Sequence, residues 1–284
     1  MAATQDPAAN AEQIDFWNAE AAETWVELQD KLDLQTEPLG REAMRALAPQ
    51  PGERVLDIGC GCGQSTLQLA GRVGPAGEVV GIDISRPMLG AARGRPIPAA
   101  SGQVEFREVD AQTGDLGPGQ FDAAYSRFGV MFFADPAAAF ANIGAALRPD
   151  GRLALVCWRT MAENPLLSAP MQAAAPLLPP MPPPDPLGPG PFALADPERV
   201  RRILSQAGFT DIGIAPFDTR VGGGSLEEAL ALALRIGPLG SALHANPERR
   251  PAVTEAVKAA ITPFVEDGRV LMPVAVWIVT ARKP

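Results

Sequence analysis

An apolar strand that runs into an acid and then into three alternating glycines is the feature that most constrains the fold of this chain. Residues 55–63 read Val-Leu-Asp-Ile-Gly-Cys-Gly-Cys-Gly. A short run of Val, Leu and Ile is typical of a strand that is buried on both faces of a parallel sheet. Glycines allow a sharp turn and let a ligand approach the bare backbone. A strand, a glycine-rich turn and a helix together usually begin a nucleotide site at the carboxyl edge of an α/β sheet.

The size and charge of the whole chain exclude several classes of protein. Its 284 residues are 46% hydrophobic, enough for one large α/β domain or for a core domain with an added cap. No run of about 18 apolar residues suggests a membrane span. Residues 1–10 lack the basic and apolar parts of a signal peptide, and we expect them to fray. The net charge of −9 is spread without a basic stripe, which argues against a nucleic-acid partner.

The three cysteines, Cys60, Cys62 and Cys157, favour a reduced, cytoplasmic protein. Their odd number predicts no disulfide framework. Cys60 and Cys62 are too close together for the usual zinc knuckle, and the chain has one histidine, so we expect no metal site. The simplest interpretation is that Cys60 and Cys62 are small apolar residues in a tight turn.

Strand and helix patterns alternate along the chain, as is typical of a doubly wound α/β fold. Predicted strands cover residues 54–57, 78–82, 104–109, 121–125, 152–158, 210–217 and 274–280. Predicted helices cover 12–47 with a break near Pro38, 65–70, a segment from 85, 137–147, 196–206, 226–236 and 252–264. We therefore expect a mostly parallel seven-stranded sheet with N-terminal helices and a helical cap.

Six segments follow from this pattern. They are an N-terminal helical lid (1–50), a ligand-binding core (51–160), a Pro-rich loop on the substrate side (161–195), a core helix and strand (196–221), a helical cap (222–270) and a final core strand (271–284). Residues 176–191 are dense in proline, so we expect them to be extended and stiff.

Polar residues follow four of the predicted strands: Asp57, Asp83, Asp110 and the pair Ser126-Arg127. In a parallel sheet these carboxyl ends lie along one edge. An acid about 20 residues beyond the glycines suits the two hydroxyls of a ribose. Carboxylates accept hydrogen bonds and do not donate them, so the set suits hydroxyl and amine donors.

A pyrophosphate ligand does not suit this turn. Asp57 brings negative charge to its entrance, and Gln64 stands where the dinucleotide-binding pattern has its third glycine. A ligand with an ammonium, a sulfonium, a ribose and an adenine, and no phosphate, fits better. S-adenosylmethionine has this composition.

Four segments, 57–63, 83–85, 109–111 and 121–123, resemble successive motifs of the class I S-adenosylmethionine-dependent methyltransferases. The likeness is strongest to the ubiquinone/menaquinone-biosynthesis-like group, which acts on small molecules. It covers residues 54–158 in order and spacing, and the last predicted strand resembles the family's terminal antiparallel strand. The resemblance implies a Rossmann-like methyltransferase fold and S-adenosylmethionine as the cofactor.

The resemblance also implies where the parts of the cofactor bind. Asp83 would bind the ribose hydroxyls, Asp110 would accept from the adenine amine, and Asp57 would orient the ammonium directly or through water. The implied cofactor residues of the sheet edge are Asp57, Gly59, Cys60, Gly61, Asp83, Ile84, Met88, Asp110, Ala111 and Ser126, the last through its carbonyl. Alternatively, Asp83 and Asp110 only cap the turns that follow them, and Met88 is ordinary core.

Trp17 and Trp25 lie eight residues apart, roughly on one face of the first predicted helix. In similar enzymes an N-terminal helix closes over the cofactor, and an aromatic ring there shields the sulfonium by a cation–π contact. Packing of this helix against the sheet explains the two residues equally well.

Methyl transfer from a sulfonium is an in-line displacement in which positioning and the exclusion of water carry much of the acceleration. A general base is needed only if the acceptor loses a proton as it attacks. The candidates are His244, the only histidine, and Tyr125, the only tyrosine. His244 follows a predicted helix, so a cap or dipole role is the alternative.

The acceptor is expected to be a small hydrophobic or aromatic molecule, methylated on oxygen, nitrogen or carbon. Arg127 could bind a ligand carboxylate or could pair with a protein acid such as Asp57 or Asp135. The expected substrate residues are Arg127, Phe128, Met131, Phe132, Trp158 and Phe192, with Phe133 nearby. These apolar residues could equally be core. We expect a monomer or homodimer; the alternative functions are an NAD(P)-dependent oxidoreductase and a catalytically silent nucleoside-binding module.

Overall fold

A computed structural model describes residues 10–180, 185 and 187–284 of the chain. Its strands are β1 (Arg54–Ile58), β2 (Glu78–Asp83), β3 (Gln103–Glu108), β4 (Phe121–Arg127), β5 (Leu147–Trp158), β6 (Thr210–Gly222), β7 (Val265–Glu266) and β8 (Arg269–Arg282). Its helices are α1 (Ala11–Asn18), α2 (Glu20–Leu47), α3 (Gln64–Val73), α4 (Arg86–Arg93), α5 (Pro136–Ala146), α6 (Pro165–Ala174), α7 (Pro197–Gln206), α8 (Leu226–Ala233), α9 (Gly237–Ala245) and α10 (Arg250–Ile261). None of the described helices is both long enough and apolar enough to span a bilayer.

The strands form one sheet in the order β3-β2-β1-β4-β5-β8-β6, and the short β7 pairs with β8. The first five strands of this order run parallel, whereas β8 is antiparallel to both of its neighbours. The predicted doubly wound, mostly parallel sheet is therefore confirmed. Because β1 and β2 are paired in register from Arg54 and Glu78 onward, their carboxyl ends and those of β3 and β4 meet at one edge.

Two helical layers cover the sheet. Helices α2, α3 and α4 pack together on the strands, and α5 packs against α7. The largest side chains that are fully buried in this core are Tyr125, Phe121 and Phe140. Removing a side chain of this size from water contributes about 1.5–3 kcal/mol to folding.

The N-terminal helices are interrupted at Ala19, so the predicted break near Pro38 is wrong. Ala19 has an extended backbone (φ −98°, ψ −158°), whereas Pro38 lies inside α2. A proline in a helix removes one hydrogen bond to the carbonyl four residues earlier. That residue is Leu34, which is 60% exposed, so the missing bond lies at an exposed part of the helix. As a result Trp17 and Trp25 lie on different helices, not on one helical face.

The segment after β5 differs from the Pro-rich loop expected over 161–195, because it contains helix α6 with Pro170 inside it. The expected extended stretch 176–191 is also not observed at its described ends. Residues 175–177 form a short 3-10 helix, and residues 187–194 form bends and turns. Residues 181–184 and 186 lie outside the described residues.

Helices α6, α8, α9 and α10 share a second apolar core with the start of β8. Its fully buried members include Leu243, Val253 and Val257. The cap expected over 222–270 thus has hydrophobic packing of its own, apart from the core of the sheet.

Candidate functional site

A cavity of about 850 Å³ lies between the carboxyl edge of the sheet, helices α1 and α2, and the cap. We call its two parts the polar half and the apolar half. The polar half is lined by α1 and by the turns at residues 59–62, 82–84 and 109–111; the apolar half is lined by Phe128, Trp158, Phe192 and residues of α6, α8 and α9.

The turn after β1 depends on its glycines. Gly59, Gly61 and Gly63 have φ values of +66°, +53° and +83°, in the left-handed region that side chains disfavour. A Cβ on Gly59 would meet the Gly129 Cα at 2.7 Å, and a Cβ on Gly129 would meet the Gly59 Cα at 2.8 Å. The backbone at Gly61 lies next to the sulfur of Met88, which also lines the cavity.

Asp83 holds this turn and lines the polar half. Its Oδ2 accepts from the Gly61 amide at 2.7 Å, and its Oδ1 accepts from the Ser85 amide at 2.9 Å. The expected capping contact is therefore present. A carboxylate has about four acceptor positions, so Asp83 retains capacity for ligand hydroxyls. Burial raises the pKa of Asp83.

Asp110 is held on both sides. Its Oδ1 accepts from the Gln112 amide at 2.9 Å and from Asn10 Nδ2 at 3.3 Å, and its Oδ2 accepts from the Thr113 hydroxyl at 3.0 Å. Asn10 was expected to fray with the N-terminus, yet it is 4% exposed; residues 1–9 lie outside the described part of the chain.

Helix α1 crosses the polar half from the end of β3 to the end of β2. At its far end, Asn18 Nδ2 donates to the Ile84 carbonyl at 2.8 Å, and Asn18 Oδ1 accepts from the Arg86 amide at 3.0 Å. An eight-residue helix spans about 12 Å. The sequence analysis did not identify Asn10 or Asn18 as functional residues. The available signal was their position directly before α1 and at its last residue.

Asp57 is fully buried and lies behind the turn, outside the cavity lining. Its Oδ2 accepts from the hydroxyls of Ser65 at 2.7 Å and Thr66 at 2.6 Å, while Oδ1 has no partner among the described residues. Burial raises the pKa of Asp57 to about 6. Direct contact with a ligand ammonium, as the resemblance implied, is not available from this position; Ser65 lines the cavity in front of it.

Tyr125 and Ser126 also lie behind the wall, both fully buried. The Tyr125 hydroxyl donates to the Gly40 carbonyl of α2 at 2.9 Å, and burial raises the pKa of this phenol. Tyr125 is therefore wrong as a candidate general base. The Ser126 hydroxyl donates to the Ile58 carbonyl at 2.8 Å, so this residue supports the glycine turn from behind.

Arg127 lines the cavity and forms an ion pair of 3.0 Å with Asp33 of α2. Arg127 therefore pairs with a protein acid, as the alternative expected, but the acid is Asp33 and neither Asp57 nor Asp135. Asp33 is 8% exposed and also pairs with Arg95. Sequence reasoning missed Asp33, although it follows Trp25 by eight residues and so lies on the same helical face.

Aromatic rings continue the wall into the apolar half. Trp17 makes edge-to-face contacts with Trp25 at 5.8 Å and with Phe132 at 5.2 Å. Phe128 has φ +63° and stacks on Trp158, with ring centroids 4.3 Å apart and planes 12° apart. The remaining predicted residues that line the cavity are Cys60, Ile84, Ala111, Met131, Phe133 and Phe192.

His244 lies near the end of α9 and lines the apolar half.

The three cysteines are free thiols, and burial raises the pKa of Cys62 to about 12. Within the described ranges, no group of three or more histidine, cysteine or acidic side chains is placed to hold a metal ion.

The polar half fits S-adenosylmethionine better than a pyrophosphate. Two buried oxygens of its lining residues, Asn10 Oδ1 and Gln13 Oε1, have no partner among the described residues, so the site calls for a ligand that donates hydrogen bonds. The lining cations Lys31, Arg127 and Arg235 already pair with acids.

Comparison with known proteins gives a consistent result. The family described as "Methyltransferase domain" matches residues 55–151. An O-methyltransferase, cnsE of Penicillium expansum, is 34% identical over 190 residues, which span 66% of this chain and 62% of that relative. Nocamycin O-methyltransferase of Saccharothrix syringae is 31% identical over 255 residues, spanning 86% of this chain and 90% of that relative.

A solved structure shares the fold at low identity. Phosphoethanolamine N-methyltransferase 2 of Haemonchus contortus, in complex with S-adenosyl-L-methionine, superposes with a TM-score of 0.52 and 19% identity. The superposition covers 87% of this chain and 52% of that one.

Proposed function

The chain belongs to the class I S-adenosylmethionine-dependent methyltransferases of the small-molecule group, and from that premise we propose that it methylates an oxygen atom of a largely apolar acceptor. One observation carries the proposal: the acidic strand ends and the aromatic wall line a single continuous cavity. The oxidoreductase and binding-module alternatives are not favoured.

The polar half would hold the cofactor, which supplies a methyl group on a sulfonium. Asp83 would accept from the ribose hydroxyls and Asp110 from the adenine amine, because each retains acceptor capacity after its internal hydrogen bonds. The backbone from Gly59 to Gly61 would lie against the methionyl part. Asp57 would act on the ammonium through Ser65 or a water molecule, since its side chain lies behind the turn.

The apolar half would hold the acceptor and exclude water. Phe128 and Trp158 form a flat aromatic wall that suits a planar molecule. Trp17 and Trp25 would cover the sulfonium from the lid side, where the electron-rich faces of indole rings attract a cation. Most of the acceleration would then come from alignment of the reacting atoms and from desolvation.

His244 is our proposed base for an acceptor that must lose a proton. The carboxylates that line the cavity are already engaged: Asp33 by two arginines, Glu228 by Lys31 and the Ser225 amide, and Asp83 and Asp110 as described above. His244 lines the apolar half, which would hold the acceptor, and this supports its proposed role.

Further observations support the finer points of the proposal. Oxygen as the methyl acceptor is supported by the names of the two O-methyltransferase relatives, one of which this chain matches over 90% of its length. A reduced, cytoplasmic location is supported by the three free thiols. The negative net charge of −9 supports a protein that binds no nucleic acid, and we propose that it is a monomer or homodimer.

Calorimetry followed by an acceptor screen tests the proposal. We expect the protein to bind S-adenosylhomocysteine and not NADH, and to transfer labelled methyl groups from S-adenosylmethionine to hydroxyls of planar aromatic or polyketide-like molecules. Binding of NADH without binding of S-adenosylhomocysteine would overturn the proposed function. Labelling of nitrogen or carbon alone would overturn the proposed acceptor atom.

A further inference from the structure

The side chain of Asn10 does not cap helix α1, although its position favours capping. Asn10 is the N-cap residue of α1, and asparagine is among the residues that best cap a helix through the side chain. Here the side chain makes no capping hydrogen bond. It turns instead to the end of β3 and donates to Asp110 Oδ1 at 3.3 Å.

This contact fixes which way the amide of Asn10 is oriented. A carboxylate oxygen only accepts, so the nitrogen of the amide must face Asp110 and its oxygen must face elsewhere. That oxygen is buried and has no hydrogen-bond partner among the described residues. One turn further along α1, Gln13 Oε1 is also buried without a partner. Both residues line the polar half.

Two buried acceptors without partners, beside a third acceptor, call for a ligand that donates. Burying an amide oxygen without a hydrogen bond is costly, and such groups in proteins nearly always have partners. A neutral amine with two N–H bonds supplies one to Asp110 and shares the other, as a three-centre hydrogen bond, between the amide oxygens of Asn10 and Gln13. A ring carbonyl in the same place would meet only acceptors and would be rejected.

We infer that Asn10 and Gln13 are part of the nucleobase site and read the exocyclic amine of the cofactor's adenine through their amide oxygens. The inference rests on the proposed function. Helix α1 would then contribute to recognition of the base as well as covering it. Asn10 orients Asp110 and, together with Gln13, distinguishes a 6-amino purine from a 6-oxo or an unsubstituted purine.

A binding cycle with two ligands tests this inference on the full-length protein. The ligands are S-adenosylhomocysteine and its analogue with hydrogen in place of the adenine amine, and the readout is the dissociation constant from calorimetry. Asn10→Ala and Gln13→Ala should each weaken the binding of S-adenosylhomocysteine about three- to fivefold, because each removes one arm of a shared hydrogen bond. Neither substitution should weaken the deaminated analogue. The analogue with a 6-oxo group should bind the unaltered protein most weakly.

Asn18→Ala is the matched control, because Asn18 pins the other end of α1 and does not approach the base. It should weaken both ligands by the same factor. Equal weakening of both ligands by Asn10→Ala and Gln13→Ala, or no weakening at all, would falsify the inference and leave the amides a structural role. If the unaltered protein binds neither ligand, the proposed function itself fails.

Discussion

The two halves of the cavity are built in different ways. The polar half is made of backbone turns at consecutive strand ends, and its carboxylates are fixed by hydrogen bonds such as that from Gly61 to Asp83. The apolar half is made of side chains from distant segments, and part of its wall belongs to the second apolar core. A rigid polar frame suits a ligand that does not vary, such as a cofactor. Side-chain packing suits a ligand that can vary, because it can be altered without disturbing the sheet. The difference indicates that the two ligands are recognised by physically separate means, which substitutions in each half can test.

The largest expected effect concerns the buried acid behind the polar half. Asp57 has a pKa of about 6 in the folded protein against 3.8 ordinarily, so the folded state binds its proton more tightly. Its contribution to stability is therefore complete below about pH 4 and is lost as the pH rises through 6, with a total of about 3 kcal/mol. Urea unfolding at several pH values should show this loss in the unaltered protein relative to Asp57→Asn. Parallel pH curves for the two proteins would contradict it.

His244→Ala tests whether the apolar half supplies chemistry as well as shape. We expect kcat to fall about a hundredfold, as is common when a general base is removed. The affinity for S-adenosylhomocysteine should not change, because His244 lies in the other half of the cavity. Ser241→Ala, one turn earlier on α9, is the control and should keep kcat. An unchanged kcat in His244→Ala would mean that positioning alone suffices.

Asp83→Ala should affect the polar half alone. Hydrogen bonds to a charged group contribute about 1.5–3 kcal/mol, so the dissociation constant of S-adenosylhomocysteine should rise about 30-fold. The KM for the acceptor should stay the same. Asp218→Ala removes an exposed acid on β6 and serves as the control. Unchanged affinity in Asp83→Ala would assign Asp83 to the turn alone.

Trp158→Ala is the reciprocal experiment in the apolar half. Loss of the ring that stacks on Phe128 should raise the KM for the acceptor about tenfold, because a stacked aromatic pair and its buried area are lost. The affinity for S-adenosylhomocysteine should be retained. Trp158→Phe keeps an aromatic ring and should recover most of the acceptor binding. A loss of cofactor affinity in Trp158→Ala would break the separation between the halves.

Tyr125→Phe should have the smallest effect. It removes the hydrogen bond to the Gly40 carbonyl, so the free energy of unfolding should fall by about 1 kcal/mol. Because Tyr125 lies outside the cavity, kcat should be unchanged. A clear drop in kcat, measured under saturating ligands, would return Tyr125 to the catalytic residues.

Contacts that are local to a strand and its turn could be predicted from the sequence, and contacts between distant segments could not. The acids Asp83 and Asp110 were expected at the sheet edge because each directly follows a predicted strand. Asn10 meets Asp110 across 100 residues, and Asp33 meets Arg127 across 94, which no local pattern indicates.

Two further expectations from the sequence were wrong for the same reason, because they depended on contacts between distant segments. Alternation along β4 shows that Tyr125 and Arg127 share a face of the sheet, but not that α2 covers the tyrosine while the arginine reaches the cavity. Helix α6 lies in the segment expected to be a Pro-rich loop; the helix continues through Pro170 and packs against α10, a contact with a distant segment.

In the proposed reaction, the contact between Gly59 and Gly129 would set the distance between the two substrates. At this point the turn that would hold the methyl donor touches the start of the aromatic wall with backbone only, and either Cβ would come within 2.8 Å of the other residue. A methyl group moving in line travels only a fraction of that distance. A side chain at either position would therefore separate donor from acceptor while each could still bind, and a loss of rate without a loss of affinity would follow.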